Sequence, residues 1–150
     1  MRDDEVNRLR IALGRISRRI DRQISGGGMT RSELSALGTV GRQKSIGVGQ
    51  LAEEEGLNPT MCSRIVGRFE AAGLVRRAPG ADDRRAVRVE ITAAGSKLHT
   101  KLRAQRTRLL AASLADLPDR ERGALLAAVP ALELLADAMR PAVERRLVAR

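Results

Sequence analysis

Arg64, Arg84 and Arg85 are the residues of this chain best suited to chemistry with another molecule, and that chemistry is hydrogen bonding to nucleic acid. A guanidinium can bond a guanine edge through two N–H groups, and arginine also enters narrow minor grooves. Arg64 lies in a run beginning at Pro59 in which Ile65, Val66 and Phe69 recur at helical spacing. Those three face inward and leave Thr60, Met61, Ser63, Arg64 and Arg68 on the outer face. Thr60 and Ser63 suit phosphate or base contacts. Met61 suits packing on a thymine methyl, or no contact. Arg84 and Arg85 follow Pro79-Gly80-Ala81-Asp82, a turn sequence between two extended runs, which places adjacent arginines at a hairpin tip.

Other reactive types have plainer readings. Cys62 occupies an inward helical position and reads as a small buried hydrophobe, the alternative being a thiol activated by a nearby helix N-terminus. His99 stands alone, and one histidine with one cysteine builds no ordinary metal site. Glu53, Glu54 and Glu55 point to different faces of a helix and read as a solvated run. The glycines 26–28 lack the lysine and hydroxyl residue of a phosphate loop and read as a connector. With no nucleophile–base pair or paired catalytic carboxylates, an enzyme is not expected, nor a cofactor or metal.

The elements that must hold these residues are legible in the spacing. Leu51, Ala52 and Leu57 belong to a first short helix and its turn, with Gly56 where that helix stops. Asn58 is an N-cap and Pro59 a first-turn proline for the second helix. After Gly73 the pattern turns to period two, with Val87, Val89 and Ile91 on one side and Arg88 and Glu90 on the other. Two helices and a basic hairpin form a helix-turn-helix with a wing.

Before it, Val6, Leu9, Leu13, Ile16 and Ile20 form a narrow seam on a helix from residue 3 to about 24. Thr30-Arg31-Ser32-Glu33 is a capping box that opens a helix carrying Leu34, Leu37 and Val40 inward. After it, Thr92 caps a long helix with Leu98, Leu102 and Leu109 at seam spacing. A last helical stretch from about Pro118 carries Leu125, Val129, Leu132, Leu135 and Met139, with a kink or a break expected at Pro130. These stripes exceed what one small domain covers. Paired as a dimer they would bury roughly 2,000 Å².

Composition points the same way. The 150 residues carry 28 Lys and Arg against 18 Asp and Glu, a net charge of +10, which calls for a polyanionic partner. A single-strand binder would want aromatic stacking surfaces, and the chain has one Phe and neither Trp nor Tyr. Asp3, Asp4, Glu5 and Asp21 argue against a transit peptide in the arginine-rich start. No 18-residue apolar span is present, so a soluble, cytoplasmic protein without membrane contact is expected. One cysteine excludes an internal disulfide.

The chain resembles the MarR family of bacterial transcription regulators. The resemblance is carried by Gln50-Leu51-Ala52, by Ser63-Arg64-Ile65-Val66, by residues 69–77 and, most specifically, by Asp83-Arg84-Arg85-Ala86-Val87-Arg88-Val89-Glu90-Ile91-Thr92 before Ala93-Ala94-Gly95. It implies one domain over residues 1–150, mainly α with a small β wing. Residues about 30–95 would be the winged helix-turn-helix, and about 1–25 and 96–150 the dimerisation helices. It further implies a homodimer on a pseudo-palindromic operator in double-stranded DNA, usually a repressor, often released by a small ligand or an oxidant. Asp83 would steady the wing through an ion pair while the arginine after it reaches the minor groove. Met61 departs from the small polar residue common at its place. The reactive cysteine of peroxide-sensing relatives, near the start of the first helix, has no counterpart, so peroxide sensitivity is expected to be absent or incidental. The competing reading is a non-specific or architectural nucleic-acid-binding protein.

Overall fold

Seven helices and three short strands occupy the described residues, 2–24, 28–80 and 87–139, of the computed structural model. In chain order they are α1 (Asp3–Ile24), α2 (Arg31–Gln43), β1 (Ser45–Gly47), α3 (Val48–Glu54), α4 (Pro59–Ala71), β2 (Val75–Pro79), β3 (Val87–Ile91), α5 (Ala93–Ala115), α6 (Asp119–Ala127) and α7 (Val129–Ala138). The chain divides into two compact units, residues 1–108 and 109–150, with the division falling inside α5.

Local chemistry sets the boundaries in the first unit. The Thr30 hydroxyl accepts from the Glu33 N–H while the Glu33 carboxylate accepts from the Thr30 N–H at 2.7 Å, completing the capping box of α2. Gly56, at φ +60, closes the turn after α3, and the Leu57 N–H returns to the Ala52 carbonyl at 2.9 Å. The side chain of Asn58 caps α4 by accepting from the Met61 N–H at 2.8 Å.

The core is built from one face of each element: Leu34, Leu37 and Val40 of α2, Ile46 of β1, Leu51 and Ala52 of α3, Cys62, Ile65, Val66 and Phe69 of α4, and Val75 and Val89 of the sheet. Each fully buried Leu, Ile or Val contributes about 1.5–3 kcal/mol relative to exposure. The sheet is antiparallel in the order β1-β3-β2. β1 is the element the sequence pattern did not announce. It puts Ile46 opposite Val89 at the centre of the core. The expected sidedness of β3 holds only in the middle: Val89 is fully buried, Ile91 is half-buried and Val87 is 42% exposed.

The wing joins α5 at a tight crossing. Thr92 donates its hydroxyl to the Gly73 carbonyl at 2.6 Å and accepts from the Gly95 N–H at 3.0 Å, so one side chain caps α5 and ties it to the turn after α4. A Cβ on residue 95 would stand 2.0 Å from the Leu74 carbonyl oxygen, so glycine there is a packing requirement. Leu98 and Leu102, which seam spacing assigned to a dimer face, pack against this chain's own core, and Leu102 is buried. By contrast Val6, Leu9, Leu13 and Ile16 on α1 are each 42–47% exposed.

In the second unit, Pro130 sits in the first turn of α7, and α6 and α7 are two helices in sequence. None of their residues is buried, and Leu125, Leu126, Leu134 and Leu135 stand exposed.

His99 of α5 lies directly over Gly41, where an added Cβ would come within 2.4 Å of the imidazole. Burial, and then the charges of Lys44, Arg42, Arg103 and Arg106, holds its pKa below the ordinary value of 6.5. On acidification the unfolded chain therefore takes up this proton first. Stability is complete above the unfolded pKa and is lost as pH falls through it towards the folded one. Urea midpoints between pH 7.5 and 5.5 should fall for the parent protein and change less for His99→Gln. An equal fall in both would show that His99 is not the group responsible.

Candidate nucleic-acid interface

Helix α4 has two faces with different duties. Cys62, Ile65, Val66 and Phe69 are at most 4% exposed and lock it onto α3 and the sheet. Thr60, Ser63, Arg64 and Arg68 are exposed on the other side. Met61 corrects the expectation of a fully outward side chain. It is half-buried, packs in part against the core and lines a groove of about 460 Å³ with Thr30, Ser32, Glu33, Arg64, Ile65 and Arg68.

The arginines around this face differ in what they hold. Arg68 makes an ion pair at 2.5 Å with Glu33, whose side chain is only 4% exposed. Arg76 pairs with Glu90 across β2 and β3 at 2.6 Å, and Arg77 pairs with Glu70 at the end of α4 at 3.2 Å. Arg88 donates to the Ser45 hydroxyl and carbonyl at 2.9 and 3.0 Å, tying β3 to β1. Arg64 differs from all of these in having no described oxygen partner. Its Nη2 donates to the Met61 sulfur at 3.2 Å, and no carboxylate holds it. Its neighbour four residues on, by contrast, is engaged inside the fold, a pairing that helical position alone could not reveal. The separation of thirty-five positions between Glu33 and Arg68 hides it from any local pattern.

Asp83, Arg84 and Arg85 lie outside the described residues. Of the described strands, β2 packs against α4. The Cys62 thiol is fully enclosed and donates to the Val48 carbonyl at 3.6 Å. Burial and then the Glu55 carboxylate push its pKa up, which disfavours the reactive thiolate. Among the described residues, no group of three or more His, Cys, Asp and Glu is placed to hold a metal ion, and no helix is long and apolar enough to cross a membrane.

Comparison with known proteins bears on this arrangement. The family model described as the MarR family matches residues 29–87. An HTH-type transcriptional regulator from Mycobacterium bovis, itself uncharacterized, is 32% identical over 129 residues, covering 86% of this chain and 90% of its own. Among solved structures, a transcriptional regulator of Thermotoga maritima aligns with a TM-score of 0.71 at 20% identity, over 91% of this chain and 96% of its own. BpsR of Bordetella bronchiseptica, whose DNA binding is regulated by 6-hydroxynicotinic acid, aligns with a TM-score of 0.61 at 18% identity, over 85% and 91%.

Removing the Arg68 guanidinium leaves a buried carboxylate with less compensation, at a cost of about 1–3 kcal/mol. Arg68→Ala should therefore lower the denaturation midpoint, and Glu33→Gln should restore part of the loss in the double variant. An Arg68→Ala protein as stable as the parent would show that the pair is as weak as an ordinary surface bridge.

Proposed function

Because the chain belongs to the MarR family of transcriptional regulators, DNA-binding proteins of winged-helix form, we propose that it is a homodimeric repressor reading a pseudo-palindromic operator. The observation that carries the reading is Arg64, exposed on the outer face of α4 and bound to no carboxylate. In this reading α4 enters the major groove, Arg64 bonds a guanine edge, and Thr60 and Ser63 reach phosphate or base. Arg84 and Arg85 follow the minor groove from the wing tip with Asp83 steadying them. Arg68, engaged with Glu33, positions α4 and contributes charge rather than base reading.

A second copy of the chain is the cover proposed for the α1 seam of Val6, Leu9, Leu13, Ile16 and Ile20, with Leu109, Leu132 and Leu135 adding to it. Successive half-sites then lie roughly 34 Å apart on one face of the duplex. Release by a small ligand is the finest part of the proposal. The groove beside Arg64 has apolar walls from Met61 and Ile65, and its carboxylate, Glu33, is already paired with Arg68, so a flat acid of the kind that regulates BpsR would find Arg64 as its cation and bind weakly. Such an acid acts only if it binds the DNA-free form more tightly than the bound one.

Two measurements test this. In binding assays on DNA flanking the encoding gene, the parent should prefer its operator over random duplex by roughly 10³-fold or more, with affinity falling steeply with salt. Arg64→Ala should relax the preference at one base pair per half-site by about 1–3 kcal/mol. Equal weakening on every duplex would instead favour the non-specific, architectural reading. In sedimentation the parent should be a dimer, and Leu13→Asp should break it or unfold the chain by burying an unpaired charge. A stable monomeric parent would remove the dimer from the account.

A further inference from the structure

Two sulfur-bearing residues adjacent in the sequence of α4 lie in opposite surroundings. Cys62 is enclosed, hydrogen-bonded to the Val48 carbonyl and shielded from oxidants. Met61 is half-buried on the wall of the 460 Å³ groove, where a small oxidant can reach it. Its sulfur already accepts a hydrogen bond from Arg64 at 3.2 Å. A thioether is a weak acceptor, so this contact parks the guanidinium beside the helix without preventing it from leaving for a base.

We propose that Met61 is a modification site: its oxidation to the sulfoxide by hypochlorous acid or a peroxide captures Arg64 and abolishes its base reading. The inference rests on the base-reading role of Arg64 proposed above. In the step, a sulfur lone pair attacks the oxidant's oxygen and an S–O bond forms. The O–Cl bond of hypochlorous acid breaks, releasing chloride and a proton; with hydrogen peroxide the O–O bond breaks and water leaves. Sulfur loses two electrons and the oxidant gains them. The product replaces a soft, apolar atom with a polar S–O group whose oxygen is one bond from the sulfur that Arg64 meets at 3.2 Å. A hydrogen bond from a charged guanidinium to that oxygen is roughly twice as strong as one between neutral groups. Thiol-dependent sulfoxide reductases reverse the modification, so the device can reset.

The geometry separates this from general oxidative damage. Met139, the C-cap of α7 at 76% exposure, is more accessible and will be oxidised too, so its contribution is separated from that of Met61 by substitution at Met61. Met29 is packed partly against the core.

The test uses the full-length protein, treated with hypochlorite, with sulfoxide at each methionine measured by peptide mass spectrometry. Binding is then compared between the operator and an operator changed at the base pair that Arg64→Ala relaxes. Oxidation of Met61 should reduce that preference about tenfold, to the level of Arg64→Ala. Treatment with methionine sulfoxide reductase and a thiol should restore it. Met61→Leu, a volume-conserving change, sets its own baseline: whatever its preference before oxidant, that preference should not change on treatment, even with Met139 fully oxidised. A parent fully oxidised at Met61 with its preference intact, or a Met61→Leu protein that loses preference as the parent does, would overturn the proposal. If reduced Arg64→Ala matches the parent at every base pair, the base-reading role falls and this proposal with it. A normal Arg64→Ala effect beside an oxidation-insensitive parent overturns this proposal alone.

Discussion

A carboxylate with almost no access to water must have its charge answered inside the fold, and Glu33 is such a group. It accepts from the Thr30 N–H at the start of α2 and pairs with Arg68 from α4. One side chain thereby completes a helix cap and fixes the position of a second helix from its outer side, while Ile65, Val66 and Phe69 hold that helix from within. Residues four apart on a helix share a face. With Arg68 anchored on Glu33, Arg64 is carried to the rim of the same groove one turn earlier, where its described hydrogen bond is to the Met61 sulfur.

The same discipline extends through the base of the wing. Arg76, Arg77 and Arg88 each have a partner, and the partners are structural: a cross-strand glutamate, the last turn of α4, and the short strand β1. A net charge of +10 draws the molecule to a polyanion at long range. Reading a base demands a different property, a guanidinium that can change partners at low cost. Arg64 has that property because its only described hydrogen bond is to a thioether. In the function proposed above, affinity and discrimination fall to different arginines of the same small region.

Much of this was legible in the sequence where contacts are local. The Thr30 capping box, the Asn58 cap with Pro59, the stop at Gly56 and the Thr92 cap all rest on partners within a few residues, and each stands in the structure as spacing implied. What escaped has long-range causes. β1 is three residues with no period to detect, defined by pairing with a strand more than forty positions later. The engagement of Arg68 and the half-burial of Met61 depend on how α2 meets α4. Seam spacing could not tell Leu102, which completes this chain's core, from Leu13, which it leaves bare, since both recur at intervals of three and four. Asp83, Arg84 and Arg85 lie outside the described residues.

The central claim is that one uncommitted guanidinium reads a guanine in each half-site. It is tested most directly by replacing the operator guanines one at a time with 7-deazaguanine, which removes the N7 acceptor while leaving pairing intact. At one position per half-site the parent should lose about 1–3 kcal/mol of binding, and Arg64→Ala should lose nothing further there. Losses of the same size in parent and Arg64→Ala at every sensitive guanine would contradict the account.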